Sequence, residues 1–364
     1  MLQPKADIFL NRLRENYLYI QSKVGTAKVM AVVKADAYGH GIVEISNLLV
    51  DEGIHGFCVA LVSEVQELIQ ANNQNPILHL GQISFLELDV YETGQVRCTI
   101  NSINDLKKLE EHASKNNVIF KSHLKVDTGM GRMGIPYEDL EEVVEEISHC
   151  NNIIIEGVYS HFSTAEEKDV DYRDWQLERF KKVIATIKEN LPEVEFFHIA
   201  NSAAVLTCEE AYFNMVRPGL AIYGVSPLKV KHESLQPVMK MKAPVALIKQ
   251  LSKGSAVGYN RQYVTDKNER ILILQAGYAD GIPREFSSDG KVEINGNLYP
   301  IIGKVSMDLI AVRCEEKAIK HGHEAVLWGS DNLRLEFLSK KYEKIPYEFL
   351  TGISKRVKRN YINE

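Results

Sequence analysis

Eight apolar runs decide the fold: VMAVV (29–33), FCVAL (57–61), PILHL (76–80), VRCTI (96–100), IFKSHLKV (119–126), IIIEGVYS (153–160), EFFHIA (195–200) and MVRPGLAIYG (215–224). Each is short, rich in β-branched or aromatic residues and bounded by polar ones, the texture of a strand buried on both faces. Between them, charged stretches such as DYRDWQLERFKKVIATIKEN (171–190) repeat apolar residues every three or four positions, as amphipathic helices do. Ser63 with Gln66 offers a capping box ahead of VQELIQAN. Eight strands alternating with helices over residues 29–224 predict a (β/α)8 TIM barrel rather than an open doubly wound sheet.

Upstream of the runs, MLQPKADIFLNRLREN lacks the apolar core of a signal peptide and reads as the start of a helix. Downstream of about Pro237 the texture changes. APVALIKQLSKGSAVGY (243–259), ERILILQAGY (269–278), GKVEINGNLYPIIGKVSMDLIAVRC (290–314) and EAVLWG (324–329) alternate apolar and polar residues around Gly and Asn, and KVEI-NGN-LYPII carries a hairpin signal. The expected fold class is therefore α/β. Residues 1–236 form the barrel, and residues 237–364 form a mainly β domain with a helix near LRLEFLSKKYEKI (333–345).

Composition narrows the function classes. The chain has 364 residues, of which 45% are hydrophobic and 25% charged, as in globular proteins with room for two domains. No apolar run approaches the roughly 18 residues of a membrane span. Cys58, Cys98, Cys150, Cys208 and Cys314 are odd in number and form no C-x-x-C pair, which suits reduced thiols in a cytoplasmic protein. A net charge of −6 argues against general nucleic-acid binding, and Lys355, Arg356, Lys358 and Arg359 read as a solvated tail. His321-Gly322-His323 has no other spaced ligands, so no metal is expected.

Polar residues gather directly after the runs. Lys34 follows the first, Lys125, Asp127 and Arg132 the fifth, His161 the sixth, and Asn201 and Ser202 the seventh, while Arg217, Pro218 and Gly219 interrupt the eighth. In a barrel these ends share the face where active sites lie. A lysine ending a strand is ordinarily solvated, and a lone histidine there is ordinarily a packed one. Their coincidence on one face is what points to chemistry. A lysine in a partly dry pocket loses its proton readily and can form a Schiff base. Asn201, Ser202 and Gly219 supply main-chain N–H groups and a hydroxyl where barrels bind phosphate. Pyridoxal phosphate and a phosphosugar aldehyde fit these residues equally.

The chain resembles the alanine racemase family, fold-type III pyridoxal-phosphate enzymes, through AVVKADAYGHG (31–41), KVDTGMGRMG (125–134), HFSTA (161–165), ANSAA (200–204) and RPGLAIYG (217–224). In the second domain the resemblance continues in VGYNRQY (257–263), AGYADG (276–281), GKVSMD (303–308) and IPYEFL (345–350). It implies an isomerase interconverting L- and D-alanine and supplying D-alanine for peptidoglycan. Lys34 matches the lysine that holds pyridoxal 5'-phosphate and the base on the D-alanine face. Tyr259 matches the base on the L-alanine face, contributed by the partner of a head-to-tail homodimer with shared sites. Arg132 and Met307 match the contacts to the substrate carboxylate. Tyr38, Ser202, Gly219, Leu220 and Tyr347 match the phosphate shell, and Arg217 the donor to the pyridine nitrogen. Lys125 matches a lysine carbamylated in some members, with His161, Asn201, Tyr278 and Asp308 in support. A broad-specificity or serine racemase on the same scaffold, or a non-catalytic pyridoxal-phosphate protein, is the alternative.

A phenol of pKa about 10 costs roughly 4 kcal/mol to deprotonate at pH 7. A basic Tyr259 therefore needs positive charge nearby, for which Arg132 and His161 are the expected sources. The chain departs from the common family pattern at Ser306, where many members have cysteine, in ISKRVKR (353–359), and in Ile8-Phe9-Leu10.

Overall fold

The computed structural model describes residues 2–364 and divides into two units, one of residues 16–37 and 41–222, the other of residues 2–15, 38–40 and 223–364. This division falls at 222/223, beside the 236/237 boundary expected from the sequence, and sets the N-terminal segment with the second unit. The cause is local. Lys5–Phe9 (β1) is a strand rather than the start of the helix, which begins at Leu10. In β1 the buried Asp7 is ion-paired with Lys242 at 2.5 Å and accepts an amide N–H of Asn360 at 3.0 Å, so the strand's one acid is satisfied inside a sheet.

The first unit is built on the eight runs. Lys28–Val32 (β2), Gly56–Val59 (β3), Ile77–His79 (β4), Val96–Ile100 (β5), Phe120–Asp127 (β6), Ile153–Tyr159 (β7), Phe196–His198 (β8) and Met215–Val216 (β9) form a parallel sheet in the order β9-β2-β3-β4-β5-β6-β7-β8. The pairing continues around to a seam between β8 and β9. Side chain and backbone close that seam together. The Asn214 amide accepts the Phe197 N–H at 2.8 Å and donates to the Glu195 carbonyl at 2.6 Å, and the Arg217 N–H reaches the Ala200 carbonyl at 2.9 Å. The result is a nearly closed (β/α)8 barrel.

Helices fill the connections, among them Val62–Gln70, Ile103–Asn116, Leu140–Ser148 and Asp171–Asn190. The Ser63/Gln66 capping box does not form, because Val62 already lies in the helix. Glu64 takes that role, accepting the N–H groups of Ala60 and Leu61 at 2.8 and 3.1 Å.

The second unit is mainly β. Met239–Leu251 (β10), Glu269–Gln275 (β11), Lys291–Ile294 (β12), Asn297–Ile302 (β13), Leu309–Arg313 (β14) and Glu324–Trp328 (β15) close a ring, since β10 pairs with both β11 and β15. The expected hairpin is β12–β13, turned by Asn295 and Gly296 at φ 51° and 81°. β1 lies between β10, to which it is antiparallel, and Lys358–Ile362 (β16), to which it is parallel. Among the described residues no helix is long and apolar enough to cross a membrane, and all five cysteines are free.

Candidate active site

Lys34 stands at the C-terminal end of β2, as predicted, but the chain beyond it takes a conformation the sequence did not announce. Lys34–Gly39 is a helical turn in which Ala35, Asp36, Ala37 and Tyr38 all have φ between 50° and 56°. Left-handed backbone costs about 1–2 kcal/mol for each non-glycine residue. Three local bonds and one long-range bond offset this. The Ala37 N–H donates to Val33 O (2.8 Å), that of Gly41 to Asp36 O (3.0 Å), that of Ile42 to the Asp36 carboxylate (2.9 Å), and that of Ala35 to Glu64 Oε1 (2.6 Å). Such strain is ordinarily kept where a side chain must be aimed. Here it fixes the backbone immediately after Lys34.

Burial lowers the Lys34 pKa, the positive charge of Arg132 lowers it further, and Glu64 partly opposes them. Lys125, near the end of β6, is buried and lowered to about 8 by desolvation and by Arg217 and Arg132; its ammonium lies 5.5 Å from the Tyr159 ring centre. Arg132 itself is exposed. His161 is held well below its ordinary pKa by burial, then by Arg217, Arg132 and Lys125. A histidine kept neutral brings no positive charge to a phenolate, which corrects the expectation placed on His161. Lys34, Lys125, Arg132 and Arg217 therefore form one cationic group, in which the arginine charges weaken the hold of the two lysines on their protons, an environment that favours an anionic ligand.

The loops after β8 and β9 meet at a hydroxyl. The Ser202 Oγ accepts the N–H groups of Gly219 at 2.9 Å and Ala221 at 3.1 Å, and Leu220 between them is fully buried. Asn201 caps the helix Ser202–Thr207 by accepting the Ala204 N–H. Arg217 is buried, with one Nη1 bond to His198 Nδ1, another to His198 O at 3.0 Å, and a bond from Nη2 to Ser160 O at 2.7 Å. His198 was absent from the sequence prediction. It lies inside a run that reads as core, and the apolar pattern gives no sign of its role.

The remaining predicted residues belong to the second unit. Tyr38 packs edge-on against Tyr347 and Tyr223, with ring centres 5.4 and 5.1 Å apart. Tyr259 opens a short 3-10 turn after Gly258 and is 69% exposed. The Tyr278 and Ala279 N–H groups bond to the Ser306 and Met307 carbonyls at 3.0 and 3.1 Å, leaving the Met307 side chain outward. Arg356 is ion-paired with Asp308 at 2.7 Å. Among the described residues no three His, Cys, Asp or Glu side chains gather as a metal site would need.

A strand-end lysine that sheds its proton easily, together with a serine hydroxyl set against the main chain of the loops after the last two barrel strands, fits a phosphorylated carbonyl compound held through a lysine. The donor set is neutral or cationic, as a phosphate monoester requires. This is the equipment of a Schiff-base barrel enzyme.

Comparison with known proteins narrows the class. Residues 8–227 match the alanine racemase N-terminal domain and residues 238–361 the alanine racemase C-terminal domain. The alanine racemase of Clostridium novyi (strain NT) is 38% identical over 98% of this chain and 95% of its own. The alanine racemase of Clostridium difficile 630 superposes with a TM-score of 0.92 at 32% identity, covering 100% of this chain and 97% of that one. The alanine racemase of Bartonella henselae, solved with covalently bound pyridoxal phosphate, gives a TM-score of 0.90 at 32% identity over 99% of both chains. The chain belongs to the alanine racemase family, whose members are isomerases.

Proposed function

We propose that this chain interconverts L- and D-alanine with pyridoxal 5'-phosphate linked covalently to Lys34. The observation that carries the reading is the lowered pKa of a lysine aimed by a strained turn at the catalytic end of a racemase barrel. Ser202, Gly219, Leu220, Tyr38 and Tyr347 would hold the phosphate. Arg217 would face the pyridine nitrogen, and as a permanent cation it donates a hydrogen bond without releasing its proton. Bound there, pyridoxal phosphate supplies an electron sink that acidifies the Cα proton of alanine.

The residues then divide the work. Lys34 removes or returns the Cα proton on the D face, and Tyr259 does so on the L face, so that each acts as acid when the other acts as base. Arg132 and the Met307 backbone orient the substrate carboxylate, with Lys125 beside Arg132 and with His161, Asn201, Tyr278 and Asp308 supporting. The outward position of Tyr259 supports its delivery to a partner's site in a head-to-tail homodimer. Supply of D-alanine for peptidoglycan in the cytoplasm is the corresponding cellular role.

The test is exchange at Cα followed by NMR in heavy water, with L-alanine and the protein loaded with pyridoxal phosphate. Exchange accompanied by D-alanine, largely lost from the L side in a Tyr259→Phe variant, is the expected result. Borohydride treatment followed by peptide mapping should place the cofactor on Lys34. Cofactor binding without exchange would refute the racemase.

A further inference from the structure

Behind Arg217 the barrel interior holds two histidines that the proposed chemistry does not use. His123 is on β6 and His198 on β8, both buried, and His123 Nδ1 lies 2.8 Å from His198 Nε2. His198 Nδ1 in turn meets Arg217 Nη1. These contacts have only one consistent assignment of protons. A guanidinium has donors and no acceptor, so His198 Nδ1 must carry the lone pair. The His198 proton is then on Nε2, and that N–H donates to His123 Nδ1. His123 must accept there, which places its own proton on Nε2. Each bond fixes the direction of the next.

The surroundings keep both rings neutral and in place. Burial, together with the Arg217 charge, holds His198 well below its ordinary pKa, and burial holds His123 at about 3 against the opposing pull of Glu156. The Tyr159 ring stacks on His198 at 4.9 Å between centres and 6° between planes, and Phe196 lies beside His123. Gly157 leaves the space His123 occupies: a Cβ there would sit 2.7 Å from two atoms of the ring. Strand, stack and glycine therefore position an acceptor against the far nitrogen of His198.

We infer that His123 is a positioning residue for Arg217, selecting through His198 the tautomer that lets the guanidinium be held by its own donors and presented to the cofactor. The inference rests on the reading of Arg217 as the group facing the pyridine nitrogen. Without the His123 acceptor, His198 has either an unpaired N–H in the barrel interior or a proton on Nδ1 opposing the Arg217 donor. Both loosen the guanidinium. Catalysis needs no proton to travel along the chain; the relay orders hydrogen bonds and leaves the rings uncharged.

The experiment compares His123→Leu with His123→Asn, two side chains of one shape, of which only the asparagine offers an acceptor near the Nδ1 position. Histidine 15N–1H spectra of the wild type, with and without pyridoxal phosphate, should show His198 and His123 each protonated on Nε2 alone near pH 7. The leucine variant should show mixed or exchange-broadened His198 tautomers and bind pyridoxal phosphate about tenfold more weakly. Asparagine should restore both. A wild-type His198 protonated on Nδ1, or doubly protonated, overturns the inference without any variant. So does an asparagine variant no better than leucine in tautomer and affinity, which would reduce His123 to packing. Failure of the wild type to bind pyridoxal phosphate would overturn the reading of the site and this inference with it; the cofactor-free tautomers overturn the inference alone.

Discussion

The Glu64 carboxylate, 29 residues downstream in sequence, accepts the backbone N–H of Ala35 at 2.6 Å, directly beside Lys34. Its second oxygen accepts from Ala60 and Leu61. One acid thus starts its own helix, anchors the turn after β2 and raises the pKa of Lys34 against the effect of burial. Replacing Glu64 by Gln should lower the Lys34 pKa further. The pH profile for capture of pyridoxal phosphate by the cofactor-free protein should then move its amine inflection to lower pH. Glu64→Ala should in addition cost roughly 1–2 kcal/mol of stability through the abandoned N–H groups. An unmoved inflection would show that Glu64 has no electrostatic hold on Lys34.

The proposed delivery of Tyr259 to a partner's site predicts complementation. Lys34→Ala and Tyr259→Phe homodimers should each be nearly inactive. Mixed and allowed to exchange, half the dimers would be hybrids, each with one intact site and one doubly damaged site. Racemisation should recover to roughly a quarter of the wild-type rate. No recovery, in a mixture shown by mass spectrometry to contain hybrids, would place both residues in one chain's site.

Lys125 makes stability depend on pH in a definite direction. Its pKa is about 8 in the folded chain, against 10.5 for an ordinary lysine. Between these values the unfolded chain binds more protons, so stability rises with pH through the window, by at most about 1.4 kcal/mol per unit. Below about pH 8 the penalty of burying the charge is present in full. Urea unfolding of cofactor-free protein in bicarbonate-free buffer should show this rise, and Lys125→Met should be more stable at pH 7 with a flatter profile. An unchanged slope would mean that the lysine titrates normally.

Gly277 carries the 306–308 turn. A Cβ at this position would collide with the carbonyl oxygens of Ser306 and Met307, so Gly277→Ala must displace the turn that presents Met307 and Asp308. Stability should fall by roughly 1–3 kcal/mol. Racemisation should fall tenfold or more, while the visible absorption of bound pyridoxal phosphate is retained. Activity equal to wild type would remove Met307 from the substrate contacts.

The eight barrel strands were legible because a parallel strand is buried on both faces and its apolar run survives in the sequence as a block. The NGN hairpin was legible because its turn needs positive φ. β1 was not, since KADIF holds two charged residues and makes sense only beside Lys242 and Asn360, over two hundred residues away. The left-handed turn was hidden too. Ala35, Asp36, Ala37 and Tyr38 have no intrinsic wish for that backbone, and long-range bonds such as Ala35 to Glu64 impose it. Lys34, Ser202 and Arg217 could be placed by their position after strands. His123 and His198 could not, because a histidine inside an apolar run reads as core until the barrel brings residues 75 apart in sequence within hydrogen-bond distance.

The placement of β1 between β10 and β16 has a consequence for synthesis. Residues 5–9 are made before the whole barrel, yet one of their two partners is made only at 358–362, so the strand waits while everything between them is synthesised. The eight barrel strands have all been made by residue 216, long before that partner exists. A nascent chain stalled before β16 would therefore expose an unpaired β1 edge. Such an edge attracts chaperones or other copies, and chains interrupted late in translation should be cleared as aggregates or degraded rather than accumulate as a half-enzyme.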